Sequence, residues 1–138
     1  MVENDKNLCN SIIVPAECSE QFLNIGHQKA GLLRKNGVLV CGISSLKKGY
    51  CIRRISPEFY TVIFTTGGKG QLTVNGKSHT IAEDSLFVVP PKTWNSYAIK
   101  GNFWNIVWFH LEDIPYWSVL KSVGLVIRPF TDIGLLMN

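Results

Sequence analysis

Along residues 59–113, short apolar runs alternate with polar, turn-forming clusters (GGKG, NGK, EDS, PPKT, KGN) spaced about 8–12 residues apart. That rhythm predicts an all-β chain whose antiparallel strands close into a barrel or sandwich; βαβ units would interpose long helical patterns. Asn75-Gly76 is the sharpest local signal. Both central residues of a type I′ turn need positive φ, which asparagine tolerates and glycine adopts freely. QLTV and KSHTI should therefore zip into a two-residue hairpin that sets His79 opposite Leu72. Pro90-Pro91 stops the strand LFVV, because neither proline can donate to a ladder.

The same pattern predicts strands at 37–44 and 49–55, joined by SLKK, and then at 59–66, 71–74, 77–81, 85–89, 95–99 and 103–111. GKG is expected to turn the chain between 59–66 and 71–74. Alternation along 103–111 places Trp104, Ile106, Trp108 and His110 on one face and Phe103, Asn105, Val107 and Phe109 on the other. Apolar residues on both faces imply a central strand covered twice. Residues 37–113 thus form the barrel. Residues 1–36 lack a regular period, apart from a short strand at 11–14 stopped by Pro15, and are expected to lie over the barrel as an N-terminal arm. Residues 114–138 turn helical: PYWSVLKSVG is a short helix with Pro115 in its first turn and Gly124 as its stop. Thr131 caps a second helix, DIGLLMN, inside which the chain ends, as a fragment of something longer would.

At 138 residues, with 46% hydrophobic and 17% charged, the chain is one globular domain rather than a disordered segment. Its net charge of +4 is scattered except at Lys47-Lys48 and Arg53-Arg54, so no basic stripe marks a nucleic-acid surface. Cys9, Cys18, Cys41 and Cys51 show neither CxxC nor Cys/His metal spacing. The polar N-terminus MVENDKNLCN is no signal peptide, so reduced thiols in the cytoplasm are expected. No apolar run reaches membrane-spanning length, and no membrane partner is expected.

Tyr60, Gly68-Lys69-Gly70, Asn75-Gly76-Lys77, Phe87-Val88-Val89-Pro90-Pro91, Tyr97, Trp104 and Trp108-Phe109-His110 follow one another in order. Together they resemble the N-terminal cupin domain of AraC-type transcription regulators. The resemblance implies a cupin-type jelly-roll barrel that senses a small-molecule effector, commonly a sugar, and forms a homodimer. DNA would be reached through a tandem helix-turn-helix domain that this chain does not contain. Four positions depart from the family pattern: Asp84-Ser85 stands for Gly-Asp, Lys92 for a glycine, and Asn95 for a histidine. In sugar-binding members the contacts come from an arginine before the Tyr60 strand, the tyrosine closing the Pro-Pro segment, and the tryptophan strand. The aligned residues here are Arg53, Tyr97, Trp104 and Ile106.

Cupin enzymes hold a divalent ion with an HxH pair, a nearby glutamate and a later histidine. This chain has His27, His79 and His110, none paired, and Asn95 at the later position, so no metal and no cofactor are expected. Glu83-Asp84 and Glu112-Asp113 are adjacent pairs at strand ends, where neighbours point to opposite faces, and no nucleophile motif accompanies them. No catalytic residue and no enzyme activity are expected. A ligand pocket asks instead for an aromatic plate and a few fixed donors in an apolar cavity. Tyr60, Tyr97, Trp104, Trp108 and Arg53 can supply these, with Ile106 beside them and Trp94 and Asn95 at the barrel mouth. The plainer reading of each tryptophan is core filling, and of Arg53 a surface position. Arg53 and Arg54 face opposite ways, so at most one looks inward. The rival to the sensor is a stand-alone cupin enzyme or carbohydrate-binding module.

Overall fold

A computed structural model describes residues 10–23, 31–122 and 126–127, the last two by backbone. The helix expected at residues 131–138, the Gly124 stop, Cys9 and His27 lie outside these residues. Nine strands are present among them: β1 Ser11–Ile13, β2 Ser19–Phe22, β3 Val38–Lys47, β4 Cys51–Arg54, β5 Phe59–Val74, β6 Lys77–Ile81, β7 Leu86–Val89, β8 Asn95–Glu112 and β9 Val126–Ile127. A one-turn helix α1, Gly31–Lys35, precedes β3, and a 3₁₀ helix, Pro115–Ser122, follows β8. The strands join into one curled antiparallel sheet, an all-β jelly roll, in the order β1-β4-β8-β5-β7-β9, with β6 on β5 and β3 joining β2 to β8.

Two long strands carry this sheet. β5 and β8 pair from Phe59↔Glu112 to Val74↔Asn95. The expected break at GKG is a bulge instead: the register shifts between Thr65 and Gly67 and again between Gly68 and Gly70, and the ladder then continues. Glycine is required there. Gly68 has φ +74°, and a Cβ on Gly70 would sit 2.4 Å from the ring of Trp104. KGN likewise does not end a strand, and β8 runs through it. β3 extends through most of SLKK to Lys47, because Ser45, Leu46 and Lys47 pair with Asn105, Trp104 and Phe103, and Leu46 is fully buried. The hairpin forms as expected, with Asn75 at φ 50° and Gly76 at φ 75°, and Leu72 faces His79.

The segment after β8 is 3₁₀ rather than α. Trp117 N–H donates to the Ile114 carbonyl, while the Ser118 and Ser122 hydroxyls bond the carbonyls of Pro115 and Val119, each three residues back. Among the described residues two buried clusters form. Inside the barrel lie Leu46, Tyr50, Ile63, Phe87, Tyr97, Trp104 and Trp108, with others. On the outer face Val38, Cys41, Tyr60, Val88 and Leu111 are covered by Leu33 of α1 and by Trp117 and Leu120. Trp117 Nε1 also donates to the Asn36 carbonyl at 2.7 Å, tying the 3₁₀ helix to the end of α1.

β1 lies beside β4 and β2 beside β3, so residues before β3 extend the barrel wall. β2 was not expected, since SEQF is short and shows no alternation. Asn10 Oδ1 accepts the Ile55 N–H at 2.9 Å, and the Leu23 N–H donates to the Cys41 carbonyl at 2.9 Å, pinning both strands.

Candidate functional site

The barrel interior has a filled end and a hollow end. At the filled end Trp104 is fully buried, donates from Nε1 to Thr65 Oγ1 at 2.9 Å, and meets Tyr97 edge-on at 6.2 Å. Four residues along the same face, Trp108 donates to Ser44 Oγ at 2.8 Å and borders a cavity of about 230 Å³. β1 and β2 contribute Ile12, Glu20 and Phe22 to its wall, β4 contributes Ile52 and Arg54, and β8 contributes Tyr97, Ile106, Trp108 and His110. Tyr50, Val40, Val14 and Ile63 complete it.

Arg54 is the cavity's cation. The β4–β8 register sets Ile52 against Tyr97 and Arg54 against Asn95. Since Ile52 lines the cavity, alternation turns Arg54 inward as well and Arg53 to the other face. The Arg54 guanidinium lies 5.5 Å from the centre of the Phe59 ring, which stacks on His110 at 4.2 Å. His110 in turn lies 5.2 Å from Trp108, which meets Phe22 edge-on at 5.4 Å. Arg54 also bonds the Tyr97 hydroxyl, which bonds Tyr50, yet Arg54 Nη1 is buried without a hydrogen-bond partner.

Burial pushes both tyrosine hydroxyls well above their ordinary range, with Arg54 working against that, so both stay protonated donors. Burial first, and the Arg54 charge second, lower His110 from 6.5 to about 3. At neutral pH the imidazole is therefore uncharged, able to donate from one nitrogen and accept at the other. Glu20 reaches the cavity from β2, and its Oε1 accepts the Ser44 hydroxyl at 3.3 Å.

Of the residues nominated from the sequence, Tyr97, Ile106 and Trp108 come together around this cavity. The others do not line it. Arg53 faces away, because it sits one residue out of phase with Ile52 and Arg54. Tyr60 belongs to the outer cluster, since β5 turns Thr61, Ile63 and Thr65 inward, opposite His110, Trp108 and Ile106. Trp104 is core, sealed by the Gly70 bulge. Asn95 is fully buried, its Nδ2 donating to the Thr93 carbonyl at 3.0 Å, and Trp94 buries its Nε1 without a partner. Sequence reasoning missed Arg54, Tyr50, His110 and Glu20. Arg54 was within reach: the Tyr50-Ile52-Arg54 phase carries the bulky apolar residues, and an inward strand face is apolar.

Among the described residues no three His, Cys, Asp or Glu side chains gather as metal ligands would. Cys18, Cys41 and Cys51 are free thiols, and no helix among the described residues is long and apolar enough to cross a membrane.

Residues 38–132 match the family model of the AraC-like ligand binding domain. The chain belongs to that family. An AraC-like ligand-binding domain is a small-molecule-binding module, and solved structures place this one in the cupin jelly roll. A cupin superfamily protein from Desulfitobacterium hafniense aligns with TM-score 0.57 and 13% identity over 73% of this chain and 83% of its own. A predicted oxalate decarboxylase from Thermotoga maritima aligns with TM-score 0.57 and 12% identity over 78% and 95%. A cupin domain from Schizosaccharomyces pombe gives 0.55 and 16% over 83% and 77%. At such identities the likeness is one of fold. No curated protein matches the chain.

Proposed function

We propose that this AraC-like domain is the effector-sensing and dimerisation part of a cytoplasmic transcription regulator, and not an enzyme. The effector is a small metabolite, a sugar or sugar-like molecule, held in the cavity beside Trp108. DNA is contacted by a helix-turn-helix domain outside this chain. The observation that carries this reading is the cavity itself: about 230 Å³, just below the roughly 300–1,000 Å³ of drug-sized sites and so suited to a small metabolite. Its aromatic plate and buried unpaired donor are what a polar ligand needs.

The wall also explains how binding would be communicated. Ile12, Val14, Glu20 and Phe22 all precede β3, so a ligand that touches them favours one placement of the N-terminal residues over another. Exposed Tyr116 and Val119 on the 3₁₀ helix support a two-fold partner there. The test is a thermal-shift screen of sugars, sugar acids and other small metabolites, followed by sedimentation with and without each hit. A saturable shift that Trp108→Ala removes is the expected result. A protein that no small metabolite stabilises, while turning over a substrate with a bound metal, would contradict it.

A further inference from the structure

Resting on the sensor reading, we propose that the effector is a small hydroxy acid, sugar acids included, whose carboxylate docks on Arg54 and whose hydroxyl meets Glu20. Arg54 Nη1 is a charged donor buried with no partner. A donor left so costs free energy until an acceptor arrives, and the acceptor that suits a planar guanidinium fork is a carboxylate. Tyr97 meets the same guanidinium, and the Phe59 ring centre lies 5.5 Å from it.

Glu20 supplies the second contact. Ionised, it is an acceptor only, and the Ser44 hydroxyl meets Oε1, which leaves acceptor capacity for a ligand hydroxyl. His110, uncharged at neutral pH, adds no second cation. Among the described lining residues Arg54 and Glu20 are therefore the two charges, one asking for an anion and one for a donor. Much of the remaining surface is aliphatic: Ile12, Val14, Val40, Ile52, Ile63 and Ile106. A hydroxyl turned onto buried carbons unpaired costs desolvation in an acid and in its neutral counterpart alike, so within a matched pair the carboxylate on Arg54 is what separates the two.

Calorimetric titration of the protein with matched pairs tests this: galacturonate against galactose, and mandelate against mandelamide. The acid of at least one pair is expected to bind roughly tenfold or more tighter than its neutral partner. Arg54→Lys should keep a reduced preference for the acid and Arg54→Met should abolish it. The wild-type comparison needs no variant, so a poorly folded Arg54→Met leaves the test intact. Neutral partners that bind as tightly as their acids in both pairs overturn the carboxylate and leave the sensor reading standing. An acid preference that survives in folded Arg54→Met overturns it too. Failure of both acids to bind overturns the inference, and the sensor reading falls only if the wider metabolite screen is also blank.

Discussion

Trp104 and Trp108 stand four residues apart on one face of one strand, and they do different work. Trp104 is sealed: ring against the Gly70 bulge, Nε1 on Thr65, Tyr97 across it. Trp108 makes an equivalent hydrogen bond, to Ser44, but its surroundings include a void, a half-satisfied arginine and a neutral histidine. Neither the residue type nor its spacing separates the two. What separates them is the partner strand: β5 closes on Trp104 with glycine, while β4 and β2 bring Arg54 and Glu20 towards Trp108. A filled end gives stability and a hollow end gives a place for a guest.

The largest effect should come from the filled end. Trp104→Ala is expected to cost about 3–5 kcal/mol, since it leaves a large cavity and strands the Thr65 hydroxyl. Trp108→Ala should cost clearly less, because its ring already borders empty space. Urea denaturation of both variants checks the difference, and equal losses would erase the distinction between the two ends.

Acid should act on the hollow end next. The folded protein holds His110 at a pKa of about 3, against 6.5 for the ordinary side chain. The neutral imidazole's contribution is therefore fully present above pH 6.5. It is lost as pH falls from 6.5 towards 3, because the unfolded chain takes up the proton first. Between pH 7 and pH 5 the wild type should lose about 1–2 kcal/mol that His110→Phe does not lose. Denaturation curves at the two pH values check this. A slope that is the same in the variant would mean that the imidazole is open to water.

These two ends were not equally legible in the sequence. The barrel, the Asn75-Gly76 hairpin, the Leu72–His79 register and the inward face of Trp104, Ile106 and Trp108 followed from alternation and turn chemistry, which are local. The GKG bulge did not. Gly67 to Gly70 reads as a turn along the chain, and becomes a bulge only because β8 continues to pair across it. The site was half visible. Ile106 and Trp108 share the plain alternation of 103–111 and Tyr97 comes from the stretch before KGN, across which the phase of β8 changes, whereas Glu20 and Phe22 come from a four-residue strand with no pattern of its own. Aligning the family motif points to Arg53 rather than Arg54, and a one-residue slip in such an alignment exchanges the two faces of a strand.

The smallest effect is a control lying outside both ends. Lys92 holds φ at +61° in a turn where the related pattern has glycine, and its N–H donates to the Pro57 carbonyl at 2.7 Å. Lys92→Gly keeps that bond and relieves the left-handed strain, so it should stabilise by about 0.5–1 kcal/mol. A thermal melt checks it. Ligand binding should not change, and a loss of binding would draw the turn into the site.

The most direct test of the hollow end uses the two tryptophans as reporters. Intrinsic fluorescence is followed while a panel of sugars, sugar acids and other small metabolites is titrated into the wild type, Trp104→Phe and Trp108→Phe. A ligand in the cavity beside Trp108 predicts a saturable change in the wild type and Trp104→Phe that disappears in Trp108→Phe. A change that persists in Trp108→Phe, or no saturable change with any member of the panel, would contradict a guest at that end of the barrel.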